Sequence, residues 1–173
     1  EIIETDIDGR LKDFERRREL SRNRGLGNWY SDYKTWGEVN AKIELLAGNA
    51  PEIASTFIVG ASHQGRSIHG IRITAPGDSD GRPSVLFNGC QHAREWIAVM
   101  VPVYVAEYLI EGWYENPEIH SFLESTKVII VPIVNPDGYE YTYAPGGDRF
   151  WRKNRRNNGG FCDGVDLNRN WDI

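Results

Sequence analysis

Two cysteines in 173 residues are too few for a disulfide framework, so the fold must rest on a packed core. Cys90 and Cys162 each read as a small buried side chain. No apolar run reaches the roughly 18 residues that a membrane-spanning helix needs. Ile97 to Ile110 comes closest, but Pro102, Glu107 and two tyrosines interrupt it, so no membrane span is expected. An excess of basic charge is also missing. The 20 Lys and Arg stand against 25 Asp and Glu, a net charge of -5, which argues against nucleic acid as the main partner. There is no internal repeat, no low-complexity segment, no signal peptide and no initiating Met. The chain opens on Glu1 and stops at Ile173 directly after a dense polar cluster, and it is expected to be cut from a longer one.

What is present is the composition of a globular chain. Apolar residues make up 40 % and six are Trp, enough for a core and too many for a disordered segment. Residues 1 to 24 stand apart. Ile2, Ile3 and Ile7 among acids suit a short strand, and Gly9 to Arg24 is highly charged, ending in Arg16-Arg17-Arg18, Arg22 and Arg24. That stretch reads either as a solvated helix of mixed charge or as an exposed connector open to trypsin-like proteases.

From Trp29 onward the pattern is that of alternating strands and helices. Thr35 with Glu38 three residues later forms a capping box. Trp36, Val39, Ile43 and Leu46 follow at helical spacing, so a helix should run to Gly48 or stop before Pro51. Ser55 to Val59 and Ser67 to Thr74 flank turn residues and read as paired strands. Ser84 to Gly89 is a continuous apolar run suited to a central buried strand. Glu95 to Ile110, apolar nearly all round, should be a helix inside the protein. Asn116 to Leu123 suits one or two more helical turns. Lys127 to Val134 is strongly β, with Pro132 near an end or bulge, and Asn135-Pro136-Asp137-Gly138 reads as a turn. The order predicts an α/β fold, a mixed central sheet flanked by helices.

Three clusters carry chemistry. In Asn88-Gly89-Cys90-Gln91-His92-Ala93-Arg94-Glu95, His92 and Glu95 lie three apart where a strand hands over to a helix. One turn could aim both at a common point, and imidazole nitrogen with carboxylate oxygen is an ordinary zinc pair. Alternatively His92 is a surface histidine and Glu95 an acid favoured by a helix N-terminus. Arg149-Phe150-Trp151-Arg152-Lys153-Asn154-Arg155-Arg156 is a basic run with aromatics, suited to an anionic group of a substrate. Asp163 to Asp172 alternates carboxylates without the Gly and closing Glu of a calcium loop. In it Asn168 and Arg169 could hold a carboxylate, since Arg presents a planar fork of donors.

Taken together and in order, H-A-R-E-W, N-P-D-G-Y, F-W-R-K-N-R-R and G-V-D-L-N-R-N-W resemble the zinc metallocarboxypeptidases of the pancreatic A/B type. The resemblance runs from about Trp29 to the last residue. It implies an exopeptidase that hydrolyses the C-terminal bond of peptides and proteins with one Zn2+ per chain. His92 and Glu95 match two of the three zinc ligands. Asp166 matches the carboxylate that orients the ligand histidine. Arg152 matches the arginine that stabilises the oxyanion, Asn168 and Arg169 the pair that binds the substrate carboxylate, and Arg94 an outer-subsite arginine. Residues 1–24 then resemble the end of a pro-segment, with Arg16 to Arg24 where a trypsin-like protease would activate the zymogen, and 25–173 the front half of the catalytic domain. The third ligand, the general base, the specificity pocket and the usual disulfide partner of Cys162 are implied to lie beyond Ile173. A secreted, monomeric enzyme that binds peptide C-termini, and neither nucleic acid nor membrane, is the expectation. A catalytically inactive zinc-binding relative is the alternative.

Overall fold

The computed structural model describes residues 29–77, 81–160 and 162–171. The pro-segment assigned to 1–24 lies outside them. The chain divides between Asp32 and Tyr33. Before that point the described residues hold one 3-10 turn, Trp29–Ser31; the sheet, the α-helices and the candidate site all belong to the second part.

Helix α1 spans Trp36–Asn49 and begins as its sequence dictates. Glu38 Oε2 accepts from the Thr35 amide at 2.9 Å, while the Thr35 hydroxyl accepts from the Glu38 amide at 3.4 Å. The Thr35 amide also holds the Glu38 carboxyl below the usual carboxylate range. Val39, Ile43 and Leu46 form the buried stripe. In the full-length protein Thr35→Ala should cost about 1 kcal/mol, the usual loss of an N-cap. A denaturant midpoint equal to wild type would show that the cap contributes nothing.

Strands β1 (Ala54–Ala61) and β2 (Ser67–Ile73) pair as expected, and the structure shows the pair to be an antiparallel hairpin with a register shift between Ile58 and Gly60. Its turn closes through Ser62 N to Arg66 O at 2.8 Å and Gly65 N to Ser62 O at 3.0 Å. Strand β3 is Ser84–Asn88. Helices α2 (Ile97–Glu115) and α3 (Pro117–Ser125) lead to β4, Lys127–Val131. The sheet order is β1-β2-β4-β3, with β2 antiparallel and β3 parallel to β4. The sheet is therefore mixed, as expected. Pro132 follows the last strand residue, where its missing N–H costs no ladder bond.

Four expectations need correction. Strand β3 is not central but an edge of the described sheet, and Leu86 is 58 % exposed. An apolar run reports surface that suits burial, not which part of a chain covers it. Helix α2 is likewise buried on one face, through Val99, Met100, Val103, Ala106 and Ile110, while Ile97, Val101, Tyr104 and Tyr108 are exposed. It also begins after Glu95. Asn135-Pro136-Asp137-Gly138 is not a free turn but opens helix α4, Pro136–Tyr143. Asn and Pro serve turns and helix starts alike. Here the packing of Trp96 against Tyr139 and Tyr143, stacked on the latter at 4.0 Å, favours the helix. Finally, Cys162 is exposed, whereas Cys90 is buried.

The core lies between the sheet and helices α1 and α2. A buried ion pair, Lys42 Nζ to Glu107 Oε1 at 2.8 Å, joins those two helices. The parallel pair β3 and β4 matters most for function. Parallel neighbours end at the same side of the sheet, and the loops that leave them meet there.

Candidate active site

The chain leaves β3 through Gly89 and Cys90. Gly89 donates to Val131 O and accepts from Val134 N, both at 3.0 Å, which ties the loop after β3 to the loop after β4. A Cβ on Gly89 would stand 2.1 Å from Ala98 O and 2.7 Å from Pro132 O, so only glycine fits between these backbones. Cys90 then takes the left-handed conformation, φ 57, and its thiol is buried. Burial pushes the thiol pKa up, so Cys90 is an inert side chain at a sharp reversal.

That reversal brings His92 into a largely buried position, before helix α2 rather than on it. His92 Nδ1 stands 2.8 Å from Glu95 Oε1, and His92 Nε2 stands 3.2 Å from Asp166 Oδ1. Arg152 Nε donates to Asp166 Oδ2 at 2.9 Å, and Arg152 Nη1 lies 3.8 Å from Glu95 Oε1. His92, Glu95, Arg152 and Asp166 thus close a ring from three separate segments. The Ala93 amide donates to Arg152 O at 3.0 Å beneath it.

The two carboxylates are not equivalent. Asp166 also accepts from the Asn168 amide at 3.0 Å, and its pKa is lowered, first by the Arg152 hydrogen bond. It is the firmly held anion of the ring and stays ionised where an imidazole titrates. A neutral imidazole with its proton on Nε2, shared with Asp166, keeps a lone pair on Nδ1, on the side of Glu95. That nitrogen and the Glu95 oxygen are the donor types zinc takes. Two donors are half a site. Among the described residues no group of three or more His, Cys, Asp or Glu could hold a metal ion.

The other predicted residues stand outside the ring. Arg94 is exposed, and its carbonyl accepts from Arg149 Nη1 at 3.0 Å. Asn168 and Arg169 form the exposed 3-10 turn Leu167–Arg169, capped by Asp166. Arg169 Nη1 donates to Asn168 O at 2.7 Å, and Asn168 Oδ1 accepts from Trp171 Nε1 at 3.3 Å. Sequence reasoning missed Asn135, whose buried side chain reaches two segments of the site. An Asn before Pro announces a helix start, but nothing in the spacing announces that reach.

The profile of the zinc carboxypeptidase family (Peptidase_M14) matches residues 39–173. Zinc carboxypeptidase A 1 of Anopheles gambiae is 34 % identical over 173 residues, all of this chain and 38 % of its own length. A protein of Uncinocarpus reesii named inactive metallocarboxypeptidase ECM14 is 40 % identical over 149 residues, 83 % of this chain and 25 % of its own length. Among solved structures, the carboxypeptidase A of Helicoverpa armigera superposes with a TM-score of 0.74 at 30 % identity. The match covers 92 % of this chain and 41 % of that one. The chain spans roughly a third of the length of the curated relatives it matches.

Proposed function

This chain belongs to the zinc carboxypeptidase family, and we propose that its full-length protein is an exopeptidase that hydrolyses the last peptide bond of peptides and proteins. The observation that carries this reading is the ring of His92, Glu95, Arg152 and Asp166. It sets a two-donor metal half-site beside a guanidinium. Zinc bound there would activate a water for attack on the scissile carbonyl.

The roles of the chain's own residues follow from their chemistry. His92 Nδ1 and Glu95 supply two ligands, with the third and the general base expected outside residues 1–173. Asp166 holds the Nε2 proton of His92 and so fixes its tautomer and aim. Arg152, anchored through Nε, has its Nη groups left to donate to the oxyanion that develops on the carbonyl oxygen. Asn168 and Arg169 receive the terminal carboxylate of the substrate, which makes a free C-terminus a requirement, and Arg94 serves an outer subsite. By family analogy the enzyme is a secreted monomer, made as a zymogen and activated by a trypsin-like protease between Arg16 and Arg24.

The alternative, an inactive zinc-binding interaction module, is suggested by the 40 % identity to a relative named as inactive. It is the weaker reading, because a pure binder has no use for the arginine held beside the half-site. Steady-state kinetics of the activated full-length protein separates the two. A blocked dipeptide should be hydrolysed, its C-terminal amide should react at least ~10-fold more slowly, and chelation should abolish turnover until zinc is restored. One zinc per chain without hydrolysis would decide for the inactive relative. Arg169→Ala should raise KM and narrow the preference for the acid over the amide, with kcat changing less, since it removes binding shared by ground and transition states. Full discrimination in that variant would remove Arg169 from the carboxylate site.

A further inference from the structure

Asn135 is 2 % exposed, and every hydrogen-bonding group of its carboxamide is used. Oδ1 accepts from the Gly138 amide at 3.1 Å, which caps helix α4. Nδ2 donates to Gln91 O and to Lys153 O, both at 3.1 Å. The assignment of oxygen and nitrogen is fixed by the partners, one N–H donor on one side and two carbonyls on the other. Gln91 precedes His92 and Lys153 follows Arg152. One planar amide therefore bridges the metal half-site loop and the arginine segment, and the cap bond anchors the bridge to α4.

Gly138 supports this independently. A Cβ there would stand 2.5 Å from Lys153 O and 2.8 Å from both Asn135 Nδ2 and Oδ1. The glycine leaves the space through which the Lys153 carbonyl reaches the amide. No other side chain reproduces the bridge. Asp would keep the cap but set a carboxylate oxygen against two carbonyls. Ser could cap but, with one hydroxyl, could not donate to both.

We propose that Asn135 is a positioning residue that holds Arg152 in register with His92 and Glu95. The proposal rests on the exopeptidase reading for its kinetic consequence, though not for its geometric one. Because His92 and Glu95 share one loop, the bridge governs where Arg152 sits more than whether metal binds. In the full-length activated enzyme, Asn135→Asp and Asn135→Ser should each lower kcat by about 10- to 100-fold, the loss expected when a supporting partner or a small misplacement disturbs a site. KM should stay within about 3-fold, and zinc should remain at one per chain. Asn116→Ala removes the N-cap of α3, a helix that contributes no residue to this site. It should cost stability by the same capping mechanism while leaving kcat unchanged.

A crystal structure of Asn135→Ser is the readout that needs no turnover. Arg152 Nε should lie beyond about 3.5 Å from Asp166 Oδ2, outside hydrogen-bonding range. Should Asn135→Asp fail to fold, Asn135→Ser, which retains a capping hydroxyl, carries the kinetic arm. A kcat within twofold of wild type in Asn135→Ser, an unmoved Arg152, loss of zinc, or an equal kcat loss in Asn116→Ala would each overturn the proposal. An inactive wild type whose ring nevertheless opens in Asn135→Ser would sink the exopeptidase reading and leave the positioning role standing.

Discussion

Arg152→Ala in the full-length protein is expected, on the proposed mechanism, to lower kcat by about 100-fold or more, the usual loss when an oxyanion donor is removed. Zinc content should not change, because the guanidinium is not a ligand. KM should move less than kcat, since on that mechanism the charge that Arg152 would meet develops only during attack. A second effect adds to the first. Arg152 Nε is the donor at 2.9 Å that fixes Asp166, and Asp166 in turn faces His92 Nε2. Loss of the guanidinium loosens the carboxylate that aims the imidazole. An enzyme whose kcat survives Arg152→Ala would require another group to stabilise the oxyanion.

Gly89→Ala should be among the most damaging small substitutions in the described residues. The added carbon meets two backbone carbonyls, Ala98 O at 2.1 Å and Pro132 O at 2.7 Å, and neither can rotate aside as a side chain would. Pro102 has no N–H to offer Ala98 O, its partner four residues back, and Pro102 Cγ is the third atom in the way at 3.1 Å. Relief would have to separate β3 from the start of α2 and from the loop after β4. The cost should reach about 4–5 kcal/mol or more, seen as loss of soluble protein or of a cooperative unfolding transition. Gly37→Ala is the control. It lies in α1 with nothing within 4 Å of its added carbon, so it should be neutral or mildly stabilising. A Gly89→Ala protein within about 1 kcal/mol of wild type would mean that these backbones separate freely.

The sequence made local structure legible wherever the signal was itself local. Thr35 and Glu38 announced a capping box, and it forms. The hairpin and the last strand fell where their apolar stretches and turn residues placed them. What failed was inference about neighbours. The apolar run of β3 carries no record of which strand lies beside it, and the apolar surface of α2 does not say which side the sheet takes. The turn residues of Asn135 to Gly138 were ambiguous for a different reason. A helix start and an open turn use the same short polar side chains, and tertiary contacts of Tyr139 and Tyr143 decide between them. In the site, His92 and Glu95 were singled out by spacing, whereas their meeting with Arg152 and Asp166 needed motifs far apart in the chain to be read as one set. Asn135 escaped notice because its partners are backbone carbonyls, which have no residue type to read.

The guanidinium of Arg152 is attached at its inner nitrogen. Nε is spent on Asp166, Nη1 stands at a distance from Glu95, and Nη2 has no hydrogen bond among the described residues. One side chain can thus hold a carboxylate through one nitrogen and keep others to donate elsewhere, as a forked cation allows. A lysine has one nitrogen and, on the proposed mechanism, would have to abandon either the carboxylate behind it or the substrate carbonyl in front. On the proposed mechanism the position is a substitutional dead end: no intermediate residue would perform half of the work well enough to serve as a stepping stone. A lineage that lost this arginine would regain the chemistry only by rebuilding the anchor and the donor as two separate groups.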